Sequence, residues 1–256
     1  MFKKILCFLF SIFILSSCNV SFPKETLEQD AVKLIKEETQ KDVSVHKIGS
    51  TLYLDACFDD LVTDDSEKIS EVYSVLQKIV STIIRIPLSS DADIKFVVVS
   101  AFDSQYQTLL RLFENIDDIK KYSHQYISRE DFSERQIMEL EGPDRAKEIV
   151  ENKYDVTEEE FVARLIVSQL NNMARINPFL AKLIQVLELR FLSVEKNVFY
   201  FVTPKNIDND QLKILLEKLL EKEVVKNIQK YKLFSVKSAI LKDRENNIIL
   251  NIPVKV

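Results

Sequence analysis

Three kinds of side chain could do chemistry here by type and spacing: cysteine, histidine and clustered carboxylates. The chain has three cysteines, Cys7, Cys18 and Cys57, and two histidines, His46 and His124. A thiolate is a nucleophile, an imidazole carries protons near neutral pH, and both ligate zinc. No two cysteines stand as C-x-x-C, and the histidines are too far apart for H-E-x-x-H, so no metal site is expected. Asp55, Asp59, Asp60, Asp64 and Asp65 bring carboxylates close together, as a calcium loop would. They lack D-x-[DN]-x-[DN]-G spacing, and Asp64 and Asp65 suit a helix start, where the positive dipole end favours acids. Asp91 and Asp93 suit a turn before a strand. Acid pairs for glycoside cleavage are defined by distance in space, so the sequence selects none. Neither histidine has a recognisable nucleophile and orienting acid. No catalytic residue and no cofactor are assigned.

Glycine excludes more. Gly49 and Gly142 are the only two, so G-x-G-x-x-G, G-x-x-x-x-G-K-[ST] and G-x-S-x-G cannot occur. Those loops need glycine where backbone approaches a phosphate or turns sharply under a nucleophile. No nucleotide is expected as a partner.

One specific pattern opens the chain. Lys3 and Lys4 precede an apolar run from Ile5 to Leu15, then Ser16, Ser17 and Cys18. This is a signal-peptide layout. As a helix the run reaches only about 16 Å, against a hydrocarbon core of ~30 Å, which disfavours a permanent span. Leu15-Ser16-Ser17-Cys18 resembles the lipobox of bacterial lipoproteins, a resemblance confined to the N-terminus. It implies that the Cys18 thiol receives a diacylglyceryl group, the peptide bond before it is cut, and the new amine takes an acyl chain such as palmitate. Two or three chains make a durable anchor where one does not. In proteobacterial members an aspartate after the cysteine retains the protein in the inner membrane, so Asn19 implies the periplasmic face of the outer membrane if the source has one. The alternative is an ordinary secreted protein with an incidental Cys18.

Cut before Cys18, the chain carries a formal charge of −7. That opposes nucleic-acid binding, which needs cations to neutralise phosphates. Charge is uneven, +5 over Lys196 to Val256 and −12 over Cys18 to Glu195. A basic C-terminal part could meet anionic headgroups or an acidic partner, or attract the rest of its own chain. Cys57 would be the one thiol left. In the apolar-rich stretch Leu52 to Phe58 it is expected to be buried and inert.

Periodicity supplies the elements. Helical spacing runs from Leu27 to about Thr39, strands from Val43 to Ile48 and Thr51 to Phe58 around Gly49-Ser50, and an amphipathic helix from about Ser66 to Arg85, closed by Pro87 and Ser-Ser-Asp. Ile94 to Ala101 reads as a strand covered on both faces. Ser104 with Gln107 predicts a helix to about Tyr122. Further helices are expected near 129–141, where Asp131 and Arg135 form a solvated i,i+4 pair, and near 144–153, 158–176 and 178–193, the last starting at Asn177-Pro178. The apolar stretch Ile176 to Val194 is expected in the core, with a docking helix as the alternative. Asn197 to Thr203 is a strand, a helix runs from Asp208 to about Lys230, and Leu233 to Leu241 pairs with Ile248 to Val254. No internal repeat is visible.

These elements predict an α+β fold with about five or six mostly antiparallel strands, packed helices and a central all-helical insert. The expected parts are signal peptide 1–17, tether 18–25, N-terminal α+β part 26–125, helical insert 126–195 and C-terminal β-α-β-β part 196–256, packed with the N-terminal part as one domain. The opening helix-strand-strand-helix-strand order is similar to that of small envelope modules of the BON type, in element order only. The expected function is that of a membrane-anchored extracytoplasmic lipoprotein, held through lipid on Cys18, that binds or assembles envelope components without chemistry of its own. The alternatives are an envelope hydrolase with dispersed acids and a solute-binding lipoprotein.

Overall fold

The computed structural model describes residues 22–59, 61, 66–176, 189–203, 207 and 210–254. The signal segment, Cys18, residues 18–21 of the tether, Asp60, Asp64, Asp65 and residues 177–188 of the predicted helix 178–193 lie outside them. The fold is α+β, with seven helices and two sheets of five and four strands among the described residues. The chain divides into two compact units, one running to Leu109 and including Gly142–Glu151, the other comprising Leu110–Glu141 and the residues from Asn152 onward.

In the first unit, α1 (Leu27–Thr39) buries Leu27, Ala31 and Ile35, one residue per turn on a single face. Acids stand in its first turn and Lys36 in its last, as the helix dipole favours. It ends at Gln40 in the left-handed conformation. β1 (Val43–Ile48) and β2 (Thr51–Phe58) form an antiparallel hairpin, Ile48 opposite Thr51, so the turn is Gly49-Ser50. Gly49 sits at φ 56°, which glycine adopts without strain. α2 (Ser66–Leu88) then carries the chain back so that β3 (Phe96–Asp103) lies parallel to β2. A parallel pair requires such a crossover. Pro87 falls inside the last turn of α2, which stops one residue later. Every residue of β3 but the last is buried, as its unbroken apolar run implies. Helix α5 (Pro143–Glu151) belongs to this unit, and its Ala146 and Val150 pack with Phe102 and Leu109.

The second unit holds most of β4 (Leu109–Asn115), α3 (Ile116–Ser123), α4 (Arg129–Ser133), β5 (Ile137–Glu141), α6 (Glu158–Ile176), β6 (Arg190–Glu195), β7 (Val198–Val202), α7 (Asp210–Tyr231), β8 (Ser238–Lys242) and β9 (Ile248–Pro253). The last four strands form one sheet in chain order, with β7 and β8 parallel and the outer pairs antiparallel. Phe199, Phe201, Ala239, Leu241, Leu250 and Ile252 line its buried face, at every second position. Phe161 to Ile166 are all buried, so α6 is enclosed on nearly every side.

Among the described residues the two units repeat one motif. There α1-β1-β2-α2-β3 and α6-β6-β7-α7-β8 share element order and pairing: an antiparallel hairpin with a two-residue turn, a helical crossover, and a third strand parallel to the second. The agreement extends to single bonds. The second turn residue accepts from a lysine before the third strand in both, Ser50 from Lys95 and Asn197 from Lys237, each at 2.8 Å. After the third strand Asp103 and Asp243 organise the same loop, each carboxylate accepting from the N–H groups two and four residues on. No repeat is legible as sequence because the like positions, Lys95 with Lys237 and Asp103 with Asp243, are few and scattered, while the hairpin turns differ in type, Gly49-Ser50 against Lys196-Asn197.

Three predicted helices need correction. Residues 109–115 are strand β4, with Leu109, Arg111 and Phe113 buried in alternation, and the helix cap is Asn115, whose side chain accepts from the N–H groups of Asp117 and Asp118. The predicted helix 129–141 stops after α4, and residues 137–141 are strand β5. Residues 190–193 of the predicted helix 178–193 belong to β6, which pairs with β7. The insert 126–195 is therefore not all-helical, and nine strands stand among the described residues where five or six were expected. In each case strand pairing overrode a local helix signal.

Candidate functional site

The residues singled out by type are dispersed. His46 is exposed on β1 and His124 exposed at the end of α3, beside Tyr126. Asp55 is buried on β2, where Ser44 Oγ donates to it at 3.3 Å, whereas Asp59 is exposed beyond the strand end. Asp91 accepts from the Lys24 N–H at 2.8 Å, and Asp93 is exposed. Among the described residues no three His, Cys, Asp or Glu side chains come together as a metal would need.

Cys57 corrects an expectation, since it is exposed rather than buried. It is the one exposed residue of β2, near the strand's C-terminal end, and Thr51, Tyr53 and Asp55 of the same face are buried. Its partly desolvated surroundings raise the thiol above its ordinary range, against Lys41 and with help from Asp59 and Asp103.

The densest chemistry was invisible in the sequence because it is assembled from distant segments. Glu139 on β5 accepts from Arg111 of β4 at 2.6 Å and from Arg164 of α6 at 2.7 and 2.9 Å. One turn before Arg164, Glu160 accepts from Arg164 Nε at 2.8 Å and from the Tyr154 hydroxyl, which in turn accepts from Arg164 Nη2 at 2.9 Å. The Arg164 guanidinium lies 4.4 Å from the Phe191 ring centre and 5.0 Å from that of Phe113. Two cations balance two carboxylates, with both arginines buried. Burial opposes the charge on Arg164, and the Glu139 carboxylate, with Tyr154 and Glu160, more than offsets it. Burial likewise opposes ionisation of Glu139, and Arg164 and Arg111 hold its carboxyl below the usual range. The Tyr154 phenol is raised, chiefly by burial, and stays protonated. An arrangement so engaged offers neither a nucleophile nor an acid near neutral pH.

A second cluster ties α3, α4 and α7. Asp118 accepts from Arg135 and from the Tyr231 hydroxyl, each at 2.6 Å. Asp131 accepts from Arg135 at 2.7 Å and from Lys230 at 2.9 Å, and the Arg135 hydrogen bond above all holds it down to about 2. The Asp131–Arg135 pair expected at i,i+4 is present, but Arg135 is buried rather than solvated. Beside them Glu114, on β4, accepts from Gln136 Nε2 at 2.6 Å. Burial, with Asp118 nearby, pushes its carboxyl up to about 7. It is 4% exposed, so a proton there is stored rather than offered to a substrate.

The first unit presents an open groove of 660 Å³ between α1 and β1, with Val32 and Val45 among its lining and Lys33, Lys36, Glu28 and Asp42 around them. Neither histidine lines it. No described helix is long and apolar enough to cross a membrane. Comparisons of the chain with protein-family models, with curated proteins and with solved structures found no match.

Proposed function

We propose that this protein is a membrane-anchored extracytoplasmic lipoprotein acting as a non-catalytic binding or assembly module of a bacterial envelope. The observation that carries the reading is Leu15-Ser16-Ser17-Cys18 directly after a short apolar run with lysines before it. Its partner membrane is reached through acyl chains on Cys18, and the folded units stand outside the cytoplasm. The charged groups support a binding role over a catalytic one: Arg111, Glu139, Arg164 and Glu160 are committed to each other, and the open groove holds no histidine.

The test is metabolic labelling with an alkyne palmitate in a bacterial host, followed by mass spectrometry of the mature N-terminus. The expected result is label on a chain beginning at Cys18, lost in Cys18→Ser, with the protein partitioning into detergent. A chain that retains residues 1–17, or carries an unmodified thiol at its start, overturns the anchor. Turnover of peptidoglycan or ester substrates by purified protein overturns the non-catalytic assignment.

A further inference from the structure

The tether expected over residues 18–25 is half taken up by the fold. The Phe22 N–H donates to the Ser89 carbonyl at 3.4 Å, and Phe22 bridges Ser90 in parallel. The Lys24 N–H donates to Asp91 Oδ1 at 2.8 Å, and the Thr26 N–H to the Pro23 carbonyl at 3.1 Å. Between Cys18 and Phe22 stand only Asn19, Val20 and Ser21, and four Cα steps span at most about 14 Å. Phe22 is pinned at one end of the first unit. There Glu28, at the start of α1, accepts from the Lys47 N–H near the end of β1 at 2.6 Å. The Ser50 carbonyl accepts from the Lys95 and Phe96 N–H groups at 2.8 and 3.2 Å. The start of α1, the Gly49-Ser50 turn and the α2–β3 connection therefore share this end. β2 and β3 run parallel away from it, which puts Cys57 about 20 Å further along β2 than Thr51, at 3.3 Å per residue. Leu88 and Pro23 are exposed near Phe22. Lys24, Lys47 and Lys95 stand against Glu25, Glu28, Asp91 and Asp93, so this end carries no excess of cations.

We infer that this end of the first unit is a membrane-facing surface, held against a lipid headgroup layer, with the Cys57 end of β2 turned away from it. The inference rests on the lipoprotein reading and adds which surface meets the bilayer. The occupant follows from the length of chain before Phe22 and the place where that chain joins the fold. Acyl chains on Cys18 put that residue among the headgroups, and Phe22 then stays within about 14 Å of them. For the opposite end to touch the bilayer, Phe22 would have to stand about 20 Å or more from it, beyond the reach of the intervening residues. A polybasic surface would select anionic headgroups. The balance of lysines and carboxylates here does not, so the contact is made by the short tether and is indifferent to lipid charge. Headgroups cover the exposed Leu88 and Pro23 beside the tether. The end with Cys57 and the Asp103 loop is the one left open to partners.

The test uses the full chain, acylated in a bacterial host and added from detergent to preformed phosphatidylcholine vesicles that carry a nitroxide on the lipid headgroup. A fluorophore is placed on Cys57 or, in Cys57→Ser, on the thiol of Ser89→Cys. Ser89 is exposed and its printed bonds are main-chain, so the fold tolerates the change, and the exposed Asp93→Cys serves as a second probe of the same end. The expected result is strong quenching at positions 89 and 93 and its loss at Cys57, unchanged when phosphatidylglycerol is mixed into the vesicles. A Gly-Ser linker of about ten residues inserted between Ser21 and Phe22 adds a reach of roughly 17 Å and is expected to abolish the difference between the two ends. Equal quenching at both ends, stronger quenching at Cys57, a difference that survives the linker, or one that appears only with anionic lipid overturns the inference and leaves the lipoprotein reading standing. A chain without acyl groups on Cys18 overturns both together.

Discussion

Arg164 meets Glu139 through one guanidinium nitrogen, Nη1, which donates to both carboxylate oxygens at 2.7 and 2.9 Å, and the arginine is held against the ring of Phe191. Charges removed from water at such a place are stable only together, because each leaves the other uncompensated if it is lost. Glu139→Ala strands Arg111 and Arg164 with Glu160 as the remaining carboxylate. We expect a loss of about 3–5 kcal/mol, read as a lower urea midpoint at unchanged slope. A loss below about 1 kcal/mol, the value for exposed pairs, would show that the cluster is solvated.

Glu114 sets a pH dependence of definite sign. Its carboxyl is pushed up to about 7 by burial, whereas in the unfolded chain a glutamate titrates near ~4.3. The folded state thus holds the proton more tightly. The favourable contribution is complete below pH ~4.3 and is lost as pH rises through about 7, on the order of 3 kcal/mol in all. Asp131, held down to about 2 by Arg135, acts in the opposite sense, its contribution present above pH ~3.9 and lost as pH falls through about 2. Glu114→Gln keeps an acceptor for Gln136 and removes the charge. Urea midpoints from pH 4 to 8 are expected to fall with pH in the parent and to flatten in the variant. Parallel curves would place Glu114 in contact with water.

Most of the first unit was legible in the sequence, and much of the second was not, for physical reasons. Helix α1, the β1–β2 hairpin and the apolar run of β3 declare themselves through local periodicity and a glycine turn, all within a short span of chain. β4, β5 and β6 failed because each strand carries or follows a good helix-start signal. Ser104 with Gln107 imitates a capping box, but Asp103 accepts from Gln105, Gln107 and Thr108 and closes a loop there instead. Before β7, Lys196 and Asn197 both adopt positive φ, the pattern of a tight hairpin turn, and Asn197 was the available clue. The ion clusters could not be read at all, since Arg111, Glu139 and Arg164 converge only once strand and helix are placed.

The repeated loops give a paired test. Asp103→Ala removes the acceptor for three N–H groups, and a cost of about 2 kcal/mol is expected from bonds worth 0.5–1.5 kcal/mol each, part of which water restores. In Asp243→Ala the amides of Glu245 and Asn247 lose the same acceptor and should exchange with deuterium faster than in the parent. If one substitution is silent while the other opens its loop, the two carboxylates do not play equivalent parts.

Cys57 provides the sharpest contrast between composition and placement. Free cysteine is usually buried, and the apolar neighbours of Cys57 favour that outcome, yet this thiol is exposed near the C-terminal end of β2, although Thr51, Tyr53 and Asp55 on the same face are buried. Access and reactivity then diverge. The side chain is exposed, but its surroundings raise the thiol above its ordinary range, so the thiolate fraction at neutral pH is small. A maleimide should label Cys57 in the folded protein without denaturant, slowly at pH 7 and faster as pH rises beyond the range of a free cysteine, with peptide mapping to confirm the position and Cys57→Ser as the blank. Labelling that appears only in urea would put the thiol in the core with Thr51, Tyr53 and Asp55 of the same face.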